Sequence, residues 1–161
     1  MINPLNLLEI GTYTGYSAIC MAEGLSREQA LIHTIEKDDE MEEFILKYLN
    51  QSQQKEKIRL YLGDACDIIP TFENDFFDLA FIDADKREYW RHYELTLPKV
   101  RKGGFIIADN TLWSGKVTQP VESNDWQTKG IIEFNDKLKD DNRVEKVILP
   151  LRDGLTFIRK K

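Results

Sequence analysis

The sequence has few cysteines, no excess of basic residues and no long apolar run, and each shortage excludes a class of protein. The two cysteines, Cys20 and Cys66, lie far apart in apolar stretches and cannot form a disulfide framework or a CxxC-type metal cluster. No stretch approaches the roughly 18 apolar residues of a membrane span, and no basic segment followed by an apolar run opens the chain. We therefore expect a soluble, cytoplasmic protein with no membrane partner.

The charge balance argues against one further class, the proteins that bind nucleic acid non-specifically. Lys and Arg number 22 against 28 Asp and Glu, so the net charge is -6. An acidic chain lacks the basic surface that neutralises a phosphate backbone. The length of 161 residues and the 42% hydrophobic content are typical of one globular domain, and we expect a single domain over residues 1–161.

Seven short apolar runs have the length of β-strands. They are Leu5–Ile10, Leu31–Ile35, Ile58–Leu62, Phe76–Ile82, Gly104–Ala108, Val144–Leu149 and Leu155–Ile158. Helical periodicity lies between some of these runs, with apolar residues three and four positions apart. Those residues are Met41, Phe44, Ile45, Tyr48 and Leu49, and later Ile131, Phe134 and Leu138.

The alternation of strands and helices predicts the α/β class, with a doubly wound and mostly parallel sheet. The last two strands are different, because the turn residues 150–154 between them are too few for a helical crossover. They predict a terminal antiparallel hairpin. The stretch 110–124 is predicted as the one long irregular loop, a candidate lid in which Trp113 either covers the site or simply packs.

The first predicted strand ends in a glycine-rich turn. Gly11 and Gly15 let the backbone approach a ligand closely, and the helix that follows offers free N–H groups. A tight turn without any ligand is the alternative. A dinucleotide site is disfavoured, because Tyr13 and Tyr16 stand where its fingerprint needs glycine.

Acidic residues follow the next two strands. Glu36 closes the second strand, where a carboxylate can accept both hydroxyls of a ribose, although it could also be an ordinary solvated acid. Gly63, Asp64 and Ala65 close the third strand, where a small residue and a carboxylate could border an adenine ring. Asp64 could equally be a helix cap.

The fourth and fifth strands end in Asp83 and in the pair Asp109 and Asn110. Neighbouring strand ends converge in space, and two carboxylates with one amide suit a hard cation such as Mg²⁺ or Ca²⁺. A helix cap and a turn are the alternatives for these residues. Lys86 stands in the first turn of the next helix, where a cation opposes the helix dipole, so it is either functional or a flexible surface lysine.

Taken together these motifs resemble the cation-dependent class I O-methyltransferases of the catechol and caffeoyl-CoA type. The resemblance runs from Leu5 to Lys160 through EIGTYTGYS, Glu36, GDA, FIDADK, ADN followed by TLWSGKV, and RVEKVILPLRDGLTFIRK. It implies a seven-stranded Rossmann-like sheet whose last strand is antiparallel. It also implies S-adenosylmethionine as the methyl donor, a divalent cation (Mg²⁺, with Ca²⁺ or Mn²⁺ as alternatives), a small-molecule hydroxyl acceptor and a homodimer.

The same resemblance assigns roles to residues. Asp83, Asp109 and Asn110 would bind the metal, and Lys86, with Asp83 beside it, would be catalytic as the proton acceptor. The donor would be held by Glu9, Gly11, Thr12, Ser17, Glu36, Ala65 and Asp85.

Two departures from the family pattern leave the acceptor open. Family members usually carry a helical segment ahead of the first strand, which begins here at Leu5, so we expect either a fragment or a short form. Ser114 stands where the plant enzymes have an asparagine that positions the acceptor. A catechol-like small molecule is the leading hypothesis, a hydroxylated uridine of tRNA is the second, and a non-catalytic adenosyl-binding or assembly module is the third.

Overall fold

The computed structural model describes residues 2–161, which contain seven strands and five α-helices. The strands are β1 (Asn6–Ile10), β2 (Leu31–Glu36), β3 (Ile58–Leu62), β4 (Phe77–Ile82), β5 (Val100–Ala108), β6 (Val144–Leu149) and β7 (Leu155–Lys160). The helices are α1 (Tyr16–Gly24), α2 (Glu42–Gln51), α3 (Ala65–Ile68), α4 (Tyr89–Thr96) and α5 (Trp126–Asp140). None of the helices in this part of the chain has the length and apolar composition that crossing a bilayer requires.

The strands form one mixed sheet in the order β3-β2-β1-β4-β5-β7-β6. Strands β1 to β5 pair in parallel, and β7 pairs antiparallel with both β5 and β6. The predicted fold class is therefore confirmed, including the terminal antiparallel hairpin. Since the chain winds away from β1 in both directions, β1 and β4 border the point where the strand order reverses, which is where open α/β sheets bind ligands.

The sheet separates two apolar cores, because successive side chains of a strand point to opposite faces. On β1, Leu7 packs with the apolar residues of α1 and α2, whereas Leu8 and Ile10 pack with those of α3, α4 and α5. Strands covered on both faces have no polar side, which explains the continuous apolar runs in the sequence.

The predicted helices form, but the apolar stripe of α2 is wider than the face of α2 that is buried. Ile45 and Leu49 of α2 are buried, whereas Phe44 and Tyr48 of the same stripe are exposed. On α5 all three predicted core residues are buried.

Most strand boundaries lie within one or two residues of the prediction, and the larger differences are in two places. β5 begins at Val100, four residues earlier than predicted, and an irregular register opposite Phe77 and Leu79 accommodates its polar start. The predicted irregular loop 110–124 contains a 3₁₀ helix, Trp113–Thr118, whose first three residues have positive φ. The beginning of loop 110–124 is fixed to the turn between β6 and β7, where Thr111 N–H donates to the Gly154 carbonyl (3.1 Å).

A glycine on α5 lets that helix approach the segment that follows β4. Gly130 is buried, and a Cβ atom there would lie 2.3 Å from the Lys86 carbonyl oxygen and 2.8 Å from Arg87 Cα. Both neighbours are backbone atoms and cannot rotate away. Glycine is therefore required for the close contact between α5 and the 3₁₀ helix Lys86–Glu88.

We expect Gly130→Ala to lower the free energy of unfolding by about 1–3 kcal/mol, the usual range for overpacking a close contact. Gly24→Ala is the matched control, since a Cβ atom at this exposed end of α1 meets nothing within 4 Å. The control should be neutral or slightly stabilising. Chemical denaturation of both variants measures the effect, and equal stability would contradict the packing argument.

Candidate active site

Three strand ends meet at one edge of the sheet. Ile10 of β1 pairs with Ile82 of β4, which in turn pairs with Ala108 of β5, so the next residues in each strand are neighbours. Backbone hydrogen bonds continue this alignment one step further, from Asp83 N–H to the Ile10 carbonyl and from Asp109 N–H to the Ile82 carbonyl (both 3.0 Å). The structure therefore brings Asp83 and Asp109 to adjacent positions.

Gly11 is the residue that lets β1 turn away at this edge. Its φ is +99°, and a Cβ atom there would lie 2.1 Å from the Asp83 carbonyl oxygen. Any other residue would collide with the backbone that follows β4. The glycine is needed for the turn itself, and it also lies in the wall of the adjoining cavity.

A cavity of about 440 Å³ opens at the ends of β1 to β4, within the usual size range of small-molecule sites. Five of the predicted site residues line it: Gly11, Glu36, Ala65, Asp83 and Asp85. The wall also contains residues that the sequence reasoning assigned no role, among them Tyr13, Lys37, Glu88 and His92.

Glu36 faces the cavity with a carboxylate that is already oriented by the backbone. Its Oε2 accepts from Tyr13 N–H (2.7 Å), and its Oε1 accepts from Asp38 N–H (2.9 Å). A carboxylate has about four acceptor sites, so each oxygen can accept one more hydrogen bond. Glu36 is therefore a fixed acceptor and not a freely rotating surface acid.

Two aspartates in the cavity wall also cap helices. Asp64 accepts from Cys66 N–H (2.8 Å) at the start of α3 and pairs with Lys37 (2.7 Å), so the helix-cap alternative is correct for it. Asp85 caps the 3₁₀ helix Lys86–Glu88 by accepting from Arg87 N–H (3.0 Å). The Arg87 side chain also holds the Asp85 pKa low, at about 2.

Glu9, Thr12 and Ser17 form a polar group beneath the cavity and lie outside its wall. Glu9 is fully buried, its Oε2 accepts from Thr34 (2.5 Å), and the nearby Ser17 hydroxyl helps to lower its pKa. Its Oε1 is buried with no hydrogen-bond partner among residues 2–161. Thr12 is buried as well and shares a hydrogen bond with Thr34 (2.6 Å). The geometry places these residues under the end of β1, and their contact with a donor stays a prediction.

Asp109 and Asn110 form the beginning of the loop after β5. Asn110 is in the left-handed region (φ 56°), and its N–H donates to Asp109 Oδ1 (2.6 Å). Burial and the nearby Asp83 charge raise the pKa of Asp109, partly opposed by this hydrogen bond and by Lys86. The Asp83 carboxylate is thus close enough to disfavour the negative charge of Asp109.

Lys86 is buried, with 6% of its surface exposed, so it is not a flexible surface lysine. Its Nζ donates to Asp83 Oδ1 (2.8 Å) and to the Tyr89 hydroxyl (2.5 Å), and it lies 5.8 Å from the centre of the Trp113 ring. The Tyr89 hydroxyl contacts the Asp109 carbonyl oxygen (3.0 Å) in turn. The amine is therefore held between the ends of β4 and β5.

The sequence reasoning missed two residues that hold this arrangement. Tyr89 lies one helical turn after Lys86, a spacing that places both on one face, and this is the signal that could have revealed it. Gln127 accepts from Lys86 N–H (2.9 Å) and donates to Asp85 (3.0 Å), but it lies 41 residues from Lys86 and no local pattern marks it.

Known proteins are similar to this chain in sequence and in fold. The sequence profile of the O-methyltransferase family matches residues 1–161, so the chain belongs to that family. The caffeoyl-CoA O-methyltransferase of Petroselinum crispum is 32% identical, over 99% of this chain and 70% of its own length. The O-methyltransferase TomG of Streptomyces achromogenes, solved with S-adenosylmethionine, superposes with a TM-score of 0.89 at 27% identity, over 99% of this chain and 74% of its own.

An O-methyltransferase of Bacillus cereus, solved with S-adenosylhomocysteine, also has a TM-score of 0.89, at 29% identity over 99% of this chain and 75% of its own. The protein is therefore an S-adenosylmethionine-dependent O-methyltransferase of the caffeoyl-CoA type. The prediction of an enzyme and the family resemblance are confirmed, and the non-catalytic alternative is wrong.

Burial of Glu9 makes stability depend on pH. Desolvation is the main cause that raises its pKa from 4.5 to about 7, opposed by the hydroxyls of Ser17 and Thr34. Between these two values the folded protein holds a proton that the unfolded chain releases, so the contribution of Glu9 to stability falls as the pH rises through this window.

We compare the free energy of unfolding of Glu9→Gln with that of the wild type at two pH values. The stability of the variant relative to the wild type should be greater at about pH 8 than at about pH 5, by about 3 kcal/mol or less. Comparing the two pH values cancels any packing effect of the amide itself. Glu23→Gln removes an exposed carboxylate of α1 and should show no such difference. Denaturant unfolding at both pH values checks this, and a pH-independent effect at Glu9 would contradict the burial argument.

Proposed function

We propose that this protein transfers the methyl group of S-adenosylmethionine to one of two adjacent hydroxyls on a catechol-like small molecule. We further propose that a divalent cation, Mg²⁺, is held by Asp83, Asp109 and Asn110, and that Lys86 accepts the hydroxyl proton. The observation that carries the proposal is the buried Lys86 amine, which is fixed against Asp83 where the ends of β4 and β5 meet.

The cavity at the ends of β1 to β4 is the proposed donor site. Glu36 would accept the ribose hydroxyls with its free acceptor positions, and Ala65 would lie beside the adenine ring. Gly11 allows the donor to approach the backbone, and Asp85 provides a second carboxylate in the wall. Glu9, Thr12 and Ser17 would support the end of β1 from below, in the buried group described above.

The residues at the ends of β4 and β5 fit a hard cation. Two carboxylates and an amide offer only oxygen ligands, which suits Mg²⁺, Ca²⁺ or Mn²⁺ better than zinc. The raised pKa of Asp109 shows that burial and the neighbouring Asp83 disfavour its negative charge. A positive charge at this place would remove that cost. When bound, a divalent cation would supply Lewis-acid stabilisation of the deprotonated acceptor hydroxyl.

The surroundings of Lys86 suit a residue that takes up a proton. In its neutral form the amine offers a lone pair, and the Asp83 carboxylate at 2.8 Å would stabilise the ammonium ion that forms. The Tyr89 hydroxyl fixes Nζ from the other side, and the Trp113 ring lies near it. Holding the base in one position reduces the entropic cost of reaching the transition state.

The nature of the acceptor rests on the loop after β5. Trp113 and Ser114 begin the 3₁₀ helix that follows Asn110, so they lie close in sequence to the proposed cation site. The tRNA acceptor, the homodimer, the cytoplasmic location and the lid role of the loop stay predictions. A methyl-transfer screen with a panel of catechols and with bulk unmodified tRNA distinguishes the two acceptor classes.

Metal removal tests the cation assignment. We expect EDTA to abolish methyl transfer and Mg²⁺ to restore it, while calorimetry shows unchanged affinity for S-adenosylhomocysteine. Asp109→Asn keeps the side-chain volume and removes one charge, so its lower activity should recover in part at high Mg²⁺ concentration. Asp136→Asn, a carboxylate on α5 outside the site, is the control. Full turnover in EDTA would reject the assignment.

Substitution of Lys86 tests the proton acceptor separately. Lys86→Met keeps the apolar stem and removes the amine, so we expect the donor to bind as before while turnover falls by about 10²–10⁴-fold. Because hydroxide can replace a missing base, the residual rate should rise with pH more steeply than the wild-type rate. Lys116→Met, which changes an exposed lysine of the following loop, should have little effect. Near-normal turnover of Lys86→Met at neutral pH would show that Lys86 is not the base.

A further inference from the structure

A second cluster of metal-ligating side chains lies in the cavity region, away from the ends of β4 and β5. Cys66 is near the start of α3, Glu88 is at the end of the 3₁₀ helix, and His92 is on α4. One ligand atom from each residue lies within 4.8 Å of the other two. Neither the proposed donor contacts nor the proposed proton transfer uses any of these three residues.

The donor set is different in kind from that of the proposed Mg²⁺ site. Thiolate sulfur, imidazole nitrogen and carboxylate oxygen are the ligands that Zn²⁺ takes in proteins, and sulfur is a poor ligand for Mg²⁺. Zinc binds them at roughly 2.0–2.3 Å, so two ligand atoms on one tetrahedral ion are separated by roughly 3.3–3.8 Å. Side-chain rotations that move the present ligand atoms by roughly 1 Å would reach this separation.

The His92 side chain is a second, independent observation that points to a ligand at this cluster. It is 5% exposed, it lines the cavity, and its Nδ1 atom is buried with no hydrogen-bond partner among residues 2–161. Buried polar atoms are normally paired, and an orphaned one needs an explanation. Burial is the main cause that lowers the pKa of His92, which favours the neutral form that binds metals.

The other two residues are held only loosely by their present partners. Glu88 Oε2 accepts from Cys66 Sγ at 3.6 Å and is 3.6 Å from Arg91, both long contacts. Burial is the main cause that raises the pKa of the Cys66 thiol to about 11, so the thiol is protonated before any metal arrives. Formation of a sulfur–zinc bond would therefore release this proton to solvent.

We propose that Cys66, Glu88 and His92 bind one Zn²⁺ ion, and that the occupied site excludes S-adenosylmethionine from the cavity. The competition follows from position, because Glu88 and His92 share the cavity wall with Glu36 and Asp85. Three protein ligands leave a fourth position for water or another ligand, which would occupy cavity volume. The competition rests on the proposed placement of the donor, whereas zinc binding itself does not.

Binding of the metal alone to the full, metal-free chain tests the site. We expect zinc to bind tightly by calorimetry, and Co²⁺ as a probe to show a sulfur-to-cobalt charge-transfer band. Cys66→Ser should weaken zinc binding by tenfold or more and abolish the band. Cys20→Ser, which changes the exposed cysteine, should retain both signals. Glu88→Gln provides a second test at a half-exposed position, where loss of folding is not a concern, and should weaken zinc binding without removing the band.

Donor competition is measured with S-adenosylhomocysteine. Its affinity is first measured without zinc, so that failure of the proposed donor site is seen before any metal is added. One equivalent of zinc should then weaken the affinity by tenfold or more in the wild type and in Cys20→Ser, but not in Cys66→Ser. Unchanged affinity in the presence of bound zinc would overturn the competition. Zinc binding that survives Cys66→Ser and disappears in Asp83→Asn would overturn the site itself.

Discussion

The parallel pairing of β4 between β1 and β5 is the constraint on which the active-site arrangement depends. Ile10, Ile82 and Ala108 lie side by side in the sheet, so the residues that follow them begin from the same line. A shift of one residue in either pairing would turn Asp83 or Asp109 to the opposite face of the sheet. The proposed cation ligands therefore need no dedicated loop to bring them together, since the backbone hydrogen bonds of the sheet already do so.

The same alignment explains the close contacts on both sides of Asp83. Gly11 can leave β1 only because it has no side chain to meet the Asp83 carbonyl, and Gly130 allows α5 to lie against the next residues of the chain. The segment 83–88 is thus held by backbone on two sides. A lysine buried in such a segment has few alternative positions, and this rigidity suits a group that must meet one particular proton.

The strand ends could be predicted from the sequence because their signals are local. Strands β1 to β5 end in short, mostly apolar runs, and each of these ends is marked by the change to glycine or a carboxylate, as at Gly11 and Asp83. The unusual position of Lys86 was also visible locally. By contrast, Gln127 contacts Lys86, which lies 41 residues earlier in the sequence. If α5 began one residue earlier or later, the Gln127 side chain would be rotated by roughly 100° around the helix. Its partner is decided by packing of the whole chain.

Which faces of the helices are buried also depends on the packing of the whole chain, and so could be predicted only in part. The apolar periodicity of α2 predicted its helix correctly, but it could not show that Phe44 and Tyr48 remain exposed, because exposure depends on which elements cover the helix. The cluster of Cys66, Glu88 and His92 was similarly hidden. Glu88 and His92 are about one helical turn apart, whereas Cys66 lies before β4 in the chain and comes next to them only in the folded protein.

The attachment of the loop after β5 to the hairpin turn has a consequence for the order in which the site forms. Thr111 and Leu112 donate backbone hydrogen bonds to Gly154 and Asp153, more than forty positions further along the chain. During synthesis, the segment from β1 to β5 leaves the ribosome before its anchor exists. The loop beside the proposed cation site is therefore held in place only after β7 has paired with β5. A complete site thus requires the last strand of the sheet to have formed.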